Sequence, residues 1–154
     1  MMINSNDNSR KSEHYTTAIV GAGFTGLFTA LHLCHHNYSR PRGLIAPKER
    51  FVFKPLLYEV LSGEMEIDQV LPRYEELLDC GNITYIQGSV EEIDLQKRQL
   101  KLSSGLGYSY ENLVLGLGSV ASYFGIEGAK ENTLAFRDGE DAIALRNHLR
   151  QRLQ

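Results

Sequence analysis

The feature that most constrains this chain lies between Thr16 and Leu33, reading TTAIVGAGFTGLFTALHL. A short apolar run, Ala18-Ile19-Val20, leads into Gly21, Gly23 and Gly26 spaced as G-x-G-x-x-G, and an apolar stretch of helical length follows. Strand, glycine turn and helix in that order separate a dinucleotide-binding βαβ start from a chance run of glycines. Each glycine has its own task. Gly21 allows the tight turn out of the strand, Gly23 lets a pyrophosphate approach the backbone, and Gly26 lets the helix pack near the strand. The start of the helix offers unpaired N–H groups and the positive end of its dipole to those phosphates. Thr25 is placed to add a hydroxyl donor. The plainer alternative is an ordinary βα turn, in a chain where glycine makes up 14 of 154 residues. It leaves the preceding strand and following helix as coincidence.

A length of 154 residues is that of one ordinary domain with a core of its own. The net charge of −3 comes with scattered Lys and Arg, which argues against a nucleic-acid partner. Cys34 and Cys80 are far apart in sequence and form no C-x-x-C. With no secretion signal in view, free thiols in a reducing compartment are expected rather than a disulfide. The most apolar stretch, Ala18 to Leu31, is interrupted by the glycines and is too short to span a bilayer.

Met1 to His14 is polar, aperiodic and of mixed charge, and reads as a disordered tail, with one domain from residue 15 to 154. Thr16 to Val20 is the first strand. The first helix runs from about Phe24 to about His36, with Leu27, Ala30, Leu31 and Cys34 facing the sheet. His32, His35 and His36 stand on its last turns. There they complement the helix dipole, and no acidic or Cys partner at ligand spacing supports a metal site. Gly43 to Ala46 is the second strand. In dinucleotide folds its end carries an Asp or Glu for the ribose hydroxyls. Here the position holds Ala46, with Glu49 three residues on as a substitute carboxylate. Losing that charge-assisted bond costs about 1.5–3 kcal/mol.

Glu49 to Glu64 (ERFVFKPLLYEVLSGE) gives an aromatic run, a Lys54-Pro55 corner, and a short helix stopped at Ser62-Gly63. It is either a loop with a core helix or a segment laid against a flat cofactor ring. Pro72 suits the first position of a helix closed at Cys80-Gly81. Ile83 to Gln87 is a third strand, parallel to the first by the crossover rule. Gly88 to Tyr110 alternates as a small antiparallel meander. Asn112 to Gly116 returns as a buried parallel strand ending in Gly116-Leu117-Gly118-Ser119. A last helix spans Glu140 to Leu153, with Ala142, Leu145, Leu149 and Leu153 as its apolar stripe. The fold class is therefore α/β, a Rossmann-like domain with a parallel sheet plus a small antiparallel β-meander.

Taken together, AIVGAGFTGLFTALHL, ERFVFKPLLYEVLSGE, NLVLGLGS and AFRDGEDA resemble the flavoproteins with two dinucleotide-binding domains. Among these the chain is most similar to the type II NADH dehydrogenases, single-chain NADH:quinone oxidoreductases, and the second segment carries that likeness. The resemblance covers Ala18 to the C-terminus and implies the first part of an FAD-binding domain. It places Gly21, Gly23, Phe24, Thr25 and Gly26 at the FAD pyrophosphate and Lys54 and Pro55 on the flavin side. It further places Val90 where the backbone holds adenine, and Leu117 and Gly118 where a backbone pair approaches the cofactor. Family chemistry is hydride transfer from NADH to flavin and then electron transfer to a quinone, carried by the flavin rather than by a catalytic side chain.

Family members are far longer and add a second G-x-G-x-x-G domain for NADH, a return segment over the FAD, and C-terminal amphipathic helices. This sequence holds one such motif, so the domain is expected to be incomplete, with a second chain supplying the NADH domain. Without the amphipathic helices membrane association is doubtful, and a cytoplasmic location is expected. Two other readings stand beside it. One is a non-catalytic truncated remnant or interaction module. The other is an NAD-binding Rossmann protein, which leaves the Phe51–Gly63 segment unexplained.

Overall fold

In a computed structural model, residues 13–153 form a six-stranded sheet with helices packed mainly on one face. The strands are β1 (Glu13–Val20), β2 (Arg42–Ala46), β3 (Ile83–Gln87), β4 (Val90–Asp94), β5 (Gln99–Leu102) and β6 (Gly107–Leu115). Their spatial order is β3-β2-β1-β6-β5-β4. Strands β3, β2, β1 and β6 are parallel, with Ile19 opposite Leu44 on one side and Val114 on the other. β5 runs antiparallel to both β6 and β4. The helices are α1 (Phe24–His35), α2 (Leu57–Ser62, entered through a 3₁₀ turn at Lys54–Leu56), α3 (Ile67–Val70), α4 (Tyr74–Leu77) and α5 (Gly139–Arg152).

Alternation along the central strands divides the core into two faces. Ile19, Leu44 and Ala46 point to the side covered by Leu27 and Ala30 of α1, with Ala22, Phe51 and Tyr74. Ala18, Val20, Ile45 and Ile86 point to the other side, where Leu100 and Leu102 of β5 join Tyr15, Tyr108 and Tyr110. The β4–β5 arm thus covers the face that a second layer of helices covers in a doubly wound fold. A third cluster, Leu57, Val60, Val70, Leu71 and Ala142, joins α2 and α3 to α5.

Several sequence expectations are corrected here. β1 begins at Glu13, so Glu13 and His14 are strand, while the rest of the expected tail lies outside the described residues. Tyr108, Tyr110 and the Asn112–Gly116 run belong to one strand, β6, because β1 pairs with it from Glu13↔Tyr108 to Val20↔Leu115. Pro72 lies outside a helix. Its carbonyl accepts the Phe51 N–H at 2.9 Å, and α4 starts only at Tyr74. Of the expected stripe, Ala142 is buried, but Leu149 of α5 and Leu153 just past its end are exposed, because it is Ala142 and the Arg146 guanidinium, hydrogen-bonded to the Val60 carbonyl at 3.3 Å, that face the α2–α3 layer. Cys34 and Cys80 form a disulfide with Cα atoms 6.1 Å apart rather than standing as free thiols. The last turn of α1 and the loop before β3 meet at the same end of neighbouring strands, a proximity that a separation of 46 residues conceals.

Candidate functional site

Where β1 ends, the backbone stays tightly paired. The Gly21 N–H donates to the Ile45 carbonyl at 2.8 Å, and the Gly116 N–H donates to the Val20 carbonyl at 2.8 Å. Gly21 turns with φ +94°, and a Cβ there would stand 2.3 Å from the Gly116 oxygen. A Cβ on Gly26 would stand 1.7 Å from the Gly21 oxygen. Three stretches of main chain are therefore in contact, and only residues without a side chain allow it. Gly23 differs. Its φ is −69°, and a Cβ built on it would meet nothing within 4 Å. The space beside Gly23 is open, as close approach of a pyrophosphate to the backbone requires.

Gly23 is also the N-cap of α1. No side chain caps that end, and no acidic residue stands in its first turn. The leading N–H groups and the positive dipole end are left without a protein anion. Phe24 and Thr25 are exposed on this turn, beside buried Gly26. The residues present therefore fit a bound pyrophosphate.

Next to the turn, a cavity of about 290 Å³ is lined by Val20, Gly21, Ile45, Pro47, Gly88, Ser89, Val90, Glu91, Ile93 and Leu117. Three residues singled out from the sequence, Gly21, Val90 and Leu117, thus share one cavity at the carboxyl ends of the strands. This is where open α/β sheets bind ligands. Gly118 follows Leu117 with φ +72° and is exposed. Lys54 and Pro55 are exposed on the 3₁₀ turn and do not line this cavity. They connect to the start of α1 through neighbouring Phe53, whose ring lies 5.6 Å from that of Phe24.

Ala46 is buried among apolar side chains on the α1 face, so no ribose-binding carboxylate stands there. Glu49, the substitute considered from sequence, lies 3.3 Å from the Arg73 guanidinium and does not line the cavity. Glu91 does line it. Sequence reasoning passed over Glu91, because a charged residue on a short exposed strand carries no motif.

Tyr74 was also missed as a site residue. Its buried hydroxyl donates to the Ala22 carbonyl at 2.6 Å, holding the middle of the glycine turn. Burial pushes its ionisation above the ordinary tyrosine range, so it remains a donor. The ring stacks on Tyr85 with centroids 4.9 Å apart, and Tyr85 donates in turn to the Lys48 carbonyl at 2.5 Å. The signal in sequence was only an aromatic at helical spacing, which is also what a plain core residue looks like.

The start of α5 is furnished quite differently. Asp138 accepts the Asp141 N–H at 3.0 Å, and Asp141 reaches back to the Asp138 N–H. Lys48 lies 2.8 Å from Asp138 and 3.3 Å from Glu140. Burial works against the Asp138 carboxylate. The Lys48 hydrogen bond and backbone N–H groups outweigh it and hold the carboxyl below its usual range. The hydrogen bond to Asp138 likewise raises the Lys48 ammonium above its usual range.

The histidines of α1 gather ring against ring, with His32 and His36 centroids 4.4 Å apart. Among the described residues no group of three or more His, Cys, Asp or Glu could hold a metal. No helix there is long and apolar enough to cross a membrane.

The family described as pyridine nucleotide-disulphide oxidoreductase matches residues 15–153. The chain is 34% identical over 148 residues to an alternative NAD(P)H-ubiquinone oxidoreductase C1 of Arabidopsis thaliana, covering 85% of this chain and 28% of that protein. It is 31% identical over 140 residues to demethylphylloquinone reductase NdbB of Synechocystis, covering 86% of this chain and 35% of that protein. It therefore spans about a third of the length of the curated relatives it matches. In fold it resembles the sulfide:quinone oxidoreductase of Aquifex aeolicus, with a TM-score of 0.78 at 24% identity, over 91% of this chain and 32% of that one.

Proposed function

Because the chain belongs to the pyridine nucleotide-disulphide oxidoreductase family, we propose that it is the FAD-binding part of an NAD(P)H:quinone oxidoreductase-like flavoprotein. The observation that carries this reading is the contrast within one glycine turn. Gly21 and Gly26 are filled in by main chain, while Gly23 faces open space beside an uncapped helix start. That is the shape and charge a dinucleotide pyrophosphate needs.

On this reading the N–H groups at Gly23, Phe24, Thr25 and Gly26 bind the pyrophosphate. Gly21, Val90, Leu117 and Gly118 border the adenosine half, and Glu91 stands in for the acid absent at Ala46. Lys54 and Pro55 lie on the flavin side, in line with Phe53 and Phe24. Bound FAD would supply the hydride and electron chemistry, and the protein's part is to bind and orient it. Leu115, the last residue of β6, and Val120, Phe124 and Ile126 beyond it are exposed and apolar. They suit contact with further protein, either more of the same polypeptide or a second chain bearing the NADH domain.

The test is titration of the purified chain with FAD, followed by flavin absorbance after desalting and by quenching of flavin fluorescence. Retained flavin bands with near one-to-one stoichiometry are the expected result. A chain that folds yet retains no flavin at any concentration would favour the second reading, a non-catalytic interaction module. The exposed apolar run is the observation in favour of that reading.

A further inference from the structure

The end of the sheet opposite the glycine turn holds a second chemical group. Cys34 stands on the last turn of α1, ten residues beyond Phe24, which is roughly 15 Å along the helix axis. It is bonded to Cys80, in the loop that enters β3. Beside the pair lies Arg42, the first residue of β2, whose side chain is fully buried. Its guanidinium donates to the Gly81 carbonyl at 2.7 Å and the Asn82 carbonyl at 3.3 Å, and it lies over the Tyr38 ring at 5.7 Å. Its remaining arm points at the Cys34 sulfur, 3.6 Å away. Those oxygen acceptors are carbonyls rather than carboxylates. The buried charge is solvated by them but not neutralised.

We propose that Cys34 and Cys80 are a redox-modification site, a reversible cross-link opened by a dithiol reductant and closed by the disulfide form of the same class of molecule. Both cysteines are partly exposed, and Cys80 is flanked by exposed Asp79 and Gly81, so the outer sulfur can be reached. A reductant thiolate attacks the Cys80 sulfur. A mixed disulfide forms, the Cys34–Cys80 bond breaks, and its electron pair leaves on Cys34 as thiolate. Arg42 is placed to stabilise that leaving group, and a more acidic leaving thiol departs faster. The second thiol of the reductant then displaces Cys80. Two electrons and two protons pass from the dithiol to the cysteine pair, and the reductant ends as its own disulfide. The distance from the glycine turn separates this exchange from any flavin chemistry, so the proposal stands or falls independently of FAD binding.

The experiment equilibrates the native chain in dithiothreitol buffers of graded reduced-to-oxidised ratio, traps thiols by alkylation, and counts adducts by mass. The expected result is a single transition from no adducts to two, with circular dichroism unchanged across it. Alkylation of Cys34 in Cys80→Ser should then titrate about one pH unit or more below alkylation of Cys80 in Cys34→Ser. Arg42→Gln should slow the Cys34 reaction at neutral pH about tenfold. Should Arg42→Gln not fold, the comparison of the two serine variants decides the same point. Two adducts on the fully oxidised native protein would overturn the proposal. So would reduction that occurs only together with unfolding, or matching pH profiles for the two cysteines.

Discussion

The N-terminus of α1 carries a glycine where that of α5 carries an aspartate, and the rest of each end follows suit. α5 has a reciprocal capping box, Glu140 and Asp141 in its first turn, and Lys48 closing the arrangement from the β2 side. α1 has no side-chain cap and no acid in its first turn. Both helices need their leading N–H groups satisfied. The protein answers that need itself at α5 and leaves it unanswered at α1, beside the one glycine of the turn with room around it. A helix start finished from within serves the fold, and on the reading proposed above the one left bare is kept for an anion brought from outside.

The comparison breaks most severely at Gly26. Gly26→Ala forces a methyl against the Gly21 carbonyl, where no flexible side chain can give way. It should cost about 3 kcal/mol or more in urea unfolding, at the upper end for overpacking, and abolish FAD retention. Gly23→Asp sharpens the contrast by giving α1 the cap that α5 has. Stability should stay level or rise by a few tenths of a kcal/mol. FAD affinity by fluorescence titration should fall about a hundredfold, roughly 2.7 kcal/mol, because a carboxylate then occupies the phosphate position. If affinity survives, the bare helix end is not where the pyrophosphate sits.

Tyr74→Phe tests what holds the bare end in shape. It leaves the buried Ala22 carbonyl without its donor and should cost about 1–2 kcal/mol by urea unfolding. A severalfold loss of FAD affinity should accompany it.

The smallest effect belongs to the furnished end. Asp138→Asn keeps a capping oxygen but removes the charge that pairs with Lys48, and should lower stability at pH 7 by about 0.5–1 kcal/mol without changing FAD affinity. The Asp138 carboxyl is held below its ordinary value, so its contribution is fully present above about pH 4 and fades as pH falls through the lower folded value. Lys48 is shifted upward, so its contribution holds below about pH 10.4 and is lost as pH rises through the higher folded value. Wild type and Asp138→Asn should therefore differ most between about pH 4 and about pH 10.4, and converge only as pH falls through the lowered folded value of Asp138.

Much of the fold was legible because it repeats simple periodicities. β3 matches its predicted span, and α1 and β2 each differ by one residue at one end, since helical spacing and β-branched runs mark them directly. α3 was missed because Ile67–Val70 is a single turn whose pattern is too short to read. β6 was split in two because its first part alternates like a meander and Asn112–Gly116 is apolar like a parallel strand, yet Asn112 sits opposite Thr17 and donates to the Thr16 carbonyl at 3.2 Å. At the site, the glycines were legible because their spacing is local. Glu91 and Tyr74 were not, because each reaches its place by crossing between elements.

From the order of residues alone came the glycine turn, the strand and helix around it, and the parallel arrangement those imply. These are local matters, governed by φ, by periodicity and by the absence of side chains. Tertiary structure alone decided that Gly23 faces open space while Gly21 and Gly26 do not. It also decided that Tyr74 holds the turn and that Cys34 meets Cys80 over a buried arginine. Those outcomes rest on packing between segments tens of residues apart, and a linear pattern carries no distance between them.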